Sequence, residues 1–115
     1  MTDIFRIYDE LQRLGIAANY RGRKQAALAI QLALENEDRL DHVTKEIYWE
    51  VAESIGCNYD NIERNLRTVS HRAWNVSRSY LLKIAHYDLT AAPTASEFIA
   101  IVATHIRRTD LVPSA

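Results

Sequence analysis

Apolar residues recur along this chain at helical spacing in six separate runs, and none of them alternates as a strand would. Ile4, Ile7, Tyr8, Leu11 and Leu14 make the first stripe, with a cap at Thr2 or Asp3 and Gly15 placed to end it. Residues 26–34, AALAIQLAL, are apolar on nearly every side and predict a central helix enclosed by the others. Residues 35–41 are polar and acidic and read as a loop or a fraying helix end. Over 44–55, Ile47, Val51, Ala52 and Ile55 form a stripe that stops at Gly56, a residue able to take the positive φ of a helix terminus. Tyr80, Leu81, Ile84 and Ala85 mark a short fifth helix within 77–86. Pro93 and Thr94 open the last helix, with Thr94 and Glu97 as a capping box and Phe98, Ile99, Val102 and Ile106 as its buried stripe. Arg107 and Arg108 suit the negative end of that helix, and 109–115 read as a loose tail.

The segment that organises the rest is 60–74, DNIERNLRTVSHRAW. Ile62, Leu66, Val69 and Ala73 fall on one helical face, while Arg64, Arg67 and His71 fall on the opposite one. One side is core and the other is cationic. Asp60 and Glu63 fit a capping box, so the helix is expected to begin at Asp60. Ala52 lets a second helix cross closely, and the plan of helix, turn over 56–59 and helix is that of a helix-turn-helix. The turn so drawn is one residue longer than the usual three. The same spacing also suits an ordinary αα-hairpin with a solvated basic face.

Length and composition narrow the class. With 115 residues, 48% hydrophobic and 25% charged, the chain is expected to form one all-α domain, its core over about 3–108. No run of eighteen apolar residues and no signal-peptide pattern is present, so a cytoplasmic protein without a membrane partner is expected. Cys57 is the only cysteine, which excludes a disulfide framework and suits a small filler in the turn. A net charge of −1 is unusual for a DNA-binding domain, so any cationic surface must be local.

Two local features bear on that surface. Arg21, Arg23 and Lys24 stand at the start of the central helix, where free amides and partial positive charge already favour an anion; solvated surface charge is the other reading. Glu46, Glu50 and Glu53 share one face of the 44–55 helix and oppose phosphate wherever that face points at DNA. Catalysis finds little support. Ser70 and His71 are adjacent and so diverge by about 100° on a helix, and the four histidines show no metal-ligand spacing. No cofactor and no small-molecule substrate is expected.

From about residue 11 to 107 the chain resembles the C-terminal effector domain of the sporulation-initiation response regulator of endospore-forming bacteria. The likeness rests on LGI (Leu14 onward), RG (Arg21, Gly22), VTK (Val43 onward), IER (Ile62 onward), AW (Ala73, Trp74) and PTASEFIAIVA (Pro93 onward). SEFIA is the most specific of these, because helix physics does not require it. The resemblance implies a six-helix module that binds double-stranded DNA at short boxes, often in tandem and occupied by two copies. It implies that Asn61, Arg64, Arg67 and Thr68 face the bases from the recognition helix, with His71 where the family often carries an acidic residue. Arg21, Arg23, Lys24 and Arg72 are then the expected phosphate contacts.

Three departures from the family pattern stand out. The chain opens with its own Met and has no room for a receiver domain, so regulation by phosphorylation is not expected. Glu53 and Ser54 replace lysines at the end of the first motif helix, which should lower affinity. The stretch between Trp74 and Pro93 is shorter, and in the family this region touches the RNA polymerase sigma subunit. The expected function is a sequence-specific transcriptional regulator. The alternative is an orphan interaction module that pairs with a full-length regulator, near the last helix.

Overall fold

The structure, a computed structural model, describes residues 4–111, and the Thr2 or Asp3 cap lies outside them. Six α-helices follow one another: α1 Ile4–Arg13, α2 Arg23–Glu35, α3 Trp49–Ile55, α4 Tyr59–Val76, α5 Arg78–Ala85 and α6 Ala95–Leu111. The all-α architecture expected from the periodicity is the one observed, with no strand among the described residues. Buried side chains from all six helices meet in a single cluster. Helix α2 runs through its middle and packs on α1, α3, α4 and α6. Ala26, Ala27, Ala29, Ile30 and Ala33 are buried there, and so many small side chains let four neighbours approach one helix closely.

Several boundaries differ from expectation, each for a local reason. Helix α4 begins at Tyr59, with Asn58 in extended backbone as its N-cap, so Asp60 lies inside the first turn. The Asn61 amide donates to the Asn58 carbonyl at 3.1 Å, closing that turn with backbone, and the Asp60–Glu63 capping box is not formed. Gly56 takes φ 83° and its amide donates to the Ala52 carbonyl at 2.7 Å. The turn is therefore 56–58, the usual three residues, and not one longer.

The first motif helix does span 44–55, but its opening stretch Thr44–Tyr48 is a π-helix, widened before α3 proper. Of the stretch 35–41, which reads as a loop or a fraying helix end, Glu35 closes α2 and most of the rest belongs to a 3₁₀ helix, Glu37–His42, whose first turn is closed when the Asp38 amide donates to Asn36 Oδ1 at 3.0 Å. Ile55 is 37% exposed and leaves the stripe to which it was assigned.

The last helix shows what tertiary contacts add. Its predicted capping box is present, the Glu97 amide donating to Thr94 Oγ1 at 3.2 Å and the Thr94 amide to Glu97 Oε1 at 3.4 Å. Residues 109–111, expected to be loose, are helical. Arg6 of α1 donates to Thr109 Oγ1 at 2.8 Å and lies 3.6 Å from Asp110, holding that final turn against the first helix. The rest of the expected tail lies outside the described residues. Arg107 donates to the Ala33 and Leu34 carbonyls at 3.0 and 3.3 Å, so it neutralises the end of α2 rather than of its own helix.

Candidate nucleic-acid interface

Taking one turn of α4 every 3.6 residues, its surface divides into four stripes. Ile62, Leu66, Val69 and Ala73 face the core and are fully buried, as their spacing predicts. Asn65, Arg72 and Val76 form one flank, and Glu63 and Arg67 the other. Between the flanks lie Arg64, Thr68, His71 and Asn75, all exposed, with the half-buried Asn61 at the edge of the first. The outward stripe is the part of α4 furthest from the core and open along its length.

The first flank is covered by the connector 14–22 and the start of α2. Gly22 holds φ +90°, and a Cβ there would meet Val69 Cγ2 at 3.3 Å and Asn65 Cβ at 3.4 Å. Asn65 Nδ2 donates to Gln25 Oε1 at 2.7 Å, and Arg72 Nε donates to the Gly15 carbonyl at 3.2 Å. Arg72 also lies over the Tyr20 ring at 5.5 Å. A glycine without a side chain thus lets the α2 entrance lie directly on α4, and two polar contacts fix the register. Exposed Arg21 and Lys24, distant in sequence from α4, are the immediate neighbours of Gly22 and Gln25, the residues that touch its first flank.

Arg23 has a different surrounding from its two neighbours. It is half-buried, its guanidinium lies 3.8 Å from the centre of the Tyr8 ring of α1, and its Nε is buried without a hydrogen-bond partner among the described residues. On the second flank, Arg67 donates to Glu63 Oε1 at 2.7 Å, so its charge is already matched. Beneath that pair lies Tyr48, whose phenol is pushed up to about 12, first by burial and then by Glu63. Arg64 has no ion pair or side-chain hydrogen bond among the described residues, and the Thr68 hydroxyl donates to the Arg64 carbonyl at 3.1 Å. Of the two arginines singled out in the sequence, Arg64 is the less encumbered.

Ser70 and His71 diverge as their adjacency requires. The Ser70 hydroxyl is buried and donates to the Pro93 carbonyl at 2.6 Å, whereas His71 is exposed.

The family described as Sporulation initiation factor Spo0A C terminal matches residues 7–106 of the 115. The chain belongs to this family. The match runs from buried Ile7 of α1 to buried Ile106 of α6 and includes the whole helix-turn-helix. The Spo0A C-terminal domain is a DNA-binding effector domain, so this chain is a DNA-binding module of transcription regulation. No helix among the described residues is long and apolar enough to cross a membrane.

Sequence reasoning missed Gln25 and Asn65, which join α2 to α4, assigned Glu63 to a capping box when it pairs with Arg67, and missed a polar cluster elsewhere. Glu10 is fully buried on the apolar stripe of α1, where it accepts from the Tyr80 hydroxyl and from Arg6 at 3.1 Å. His105 Nε2 lies 2.9 Å from Glu10 Oε1, and Arg13 lies 3.6 Å from Oε2. Burial lowers the His105 pKa; Glu10 pulls upward, and Arg6, His86 and Arg13 push downward with burial. The signal was available: Glu10 sits between Ile7 and Leu11, where a charge has no business without partners.

Proposed function

We propose that the chain reads double-stranded DNA sequence-specifically with α4 in the major groove, Arg64 making the principal base contact. The observation that carries this reading is an unpaired, exposed Arg64 on the outward stripe, with exposed Arg21 and Lys24 on the α2 entrance that Gly22 and Gln25 seat against the adjoining flank. B-DNA's major groove admits an α-helix, and a guanidinium donates two parallel hydrogen bonds to guanine O6 and N7, contributing about 1–3 kcal/mol of discrimination. Asn61, Thr68 and His71 share that approach. Arg67 follows more weakly because Glu63 must first release it. Arg21, Lys24 and Arg72 contact phosphates, with Arg23 adding charge from its seat on Tyr8. Two copies occupy tandem boxes, as the family resemblance implies.

Fluorescence anisotropy against a duplex with tandem family boxes and a scrambled duplex, at two salt concentrations, tests this. Box-selective binding that weakens with salt is expected, because each neutralised phosphate releases counterions. Arg64→Ala should weaken box binding about tenfold to a hundredfold, with Arg67→Ala costing less. Equal affinity for both duplexes at low salt, or an Arg64→Ala variant that binds like the parent, overturns the reading.

A further inference from the structure

The outer face of α3 is of another kind. Trp49 is 47% exposed, and Tyr59, from across the 56–58 turn, is 44% exposed. Their rings stand 6.0 Å apart at 60°, edge to face, so each orders the other while both remain open to solvent. Ala52, Cys57 and Asn58 form the floor between them, and Glu53 lines one side of the resulting depression of about 310 Å³. The small side chain of Ala52 is what leaves that space open.

The surroundings of this depression are acidic. Residues 44–60 carry Glu46, Glu50, Glu53 and Asp60 against the single cation Lys45, and none of the four carboxylates has an ion-pair partner among the described residues. Trp49 lies one helical turn from both Glu46 and Glu53. Two aromatic rings beside a carboxylate attract a cation twice over, through the ring quadrupole and through Coulomb attraction. The chain shows the pairing elsewhere: Arg78 lies 4.2 Å from the Trp74 ring centre and Arg23 3.8 Å from that of Tyr8. Trp49 and Tyr59 have no such internal cation among the described residues.

We propose that Trp49, Tyr59 and Glu53 form a docking pocket for a basic side chain, arginine or lysine, presented by a partner protein. The surrounding carboxylates select a cationic segment and disfavour phosphate, so this face engages protein while the outward stripe of α4 remains available. The inference does not depend on which bases α4 reads.

The test uses the ¹⁵N-labelled chain, whose two indole N–H signals separate Trp49 from Trp74. It is titrated with a blocked arginine-rich pentapeptide, its glutamate counterpart and the tandem-box duplex. The arginine peptide should shift the Trp49 indole and Tyr59 signals while leaving Trp74 in place, and salt should weaken the effect. Trp49→Ala and Glu53→Lys should each weaken peptide binding about tenfold. Glu53→Lys, at an exposed position without an ion-pair partner among the described residues, should do so without changing the melting temperature, whereas Trp49→Ala also lowers it by removing the ring contact with Tyr59. The proposal is overturned if millimolar arginine peptide leaves Trp49 unmoved, if the glutamate peptide acts equally, or if Glu53→Lys binds unchanged. It is overturned equally if the duplex, and not the peptide, shifts Trp49, because the face then meets DNA.

Discussion

Helices α3 and α4 are neighbours in one motif, yet their exposed faces carry opposite charge. On α4 the buried stripe is complete, and the outward stripe holds Arg64 and His71 between flanks that anchor Asn65, Arg72 and Arg67. On α3 and the π-helix that leads into it the outward positions are Glu46, Glu50 and Glu53 with a half-exposed Trp49. The net charge of −1 averages over such unlike surfaces, and it says nothing about either one. A near-neutral chain can bind a polyanion when its cations are grouped and its carboxylates face elsewhere. Here the grouping is achieved by packing, since Gly22 brings the basic start of α2 onto α4.

The comparison can be broken most directly by erasing the charge difference. Glu46→Lys, Glu50→Lys and Glu53→Lys together should tighten binding to boxed and scrambled duplexes alike, by about tenfold at low salt, and steepen the salt dependence. Anisotropy measures both, and a change confined to the boxed duplex would mean that α3 also reads bases. A smaller effect is expected from Gly22→Ala, which forces a side chain into left-handed backbone against Val69 and should cost about 1–2 kcal/mol of stability by denaturant melting. Because it displaces Arg21 and Lys24 from α4, box affinity should fall severalfold; an unchanged affinity would detach the α2 entrance from the interface.

The smallest effect comes from a region that shares no residue with either face. The His105 pKa is lowered below 6.5 in the fold, so the unfolded chain binds more protons between the two values. That contribution to stability is complete above about pH 6.5 and is lost as the pH falls below it. His105→Gln, which can still donate to Glu10 without titrating, should flatten the difference in melting temperature across this window. Box selectivity should not change.

Much of this was legible in the residues. Ile62, Leu66, Val69 and Ala73 are buried where their period placed them, Gly56 ends its helix with positive φ, and Thr94 with Glu97 makes the capping box they spell. Such features depend on contacts within one or two turns, so local spacing suffices to determine them. The start of α4 was read one residue late because an Asp–Glu pair signals a cap whether or not the backbone has already closed the turn.

The features that spacing does not specify share one physical cause: partners far apart in sequence. Glu10 is tolerated inside because Tyr80 and His105 arrive from α5 and α6. Residues 109–111 stay helical because Arg6 reaches them from α1. Arg64 and Arg67 look alike in sequence, and only the side-chain geometry shows one free and the other held by Glu63. Residue spacing alone specifies five amphipathic helices, one apolar helix among them and a cationic stripe on the fourth. Packing decided which cations stand together, because hydrogen bonds and close glycine contacts act over a few ångströms in space without regard to separation along the chain.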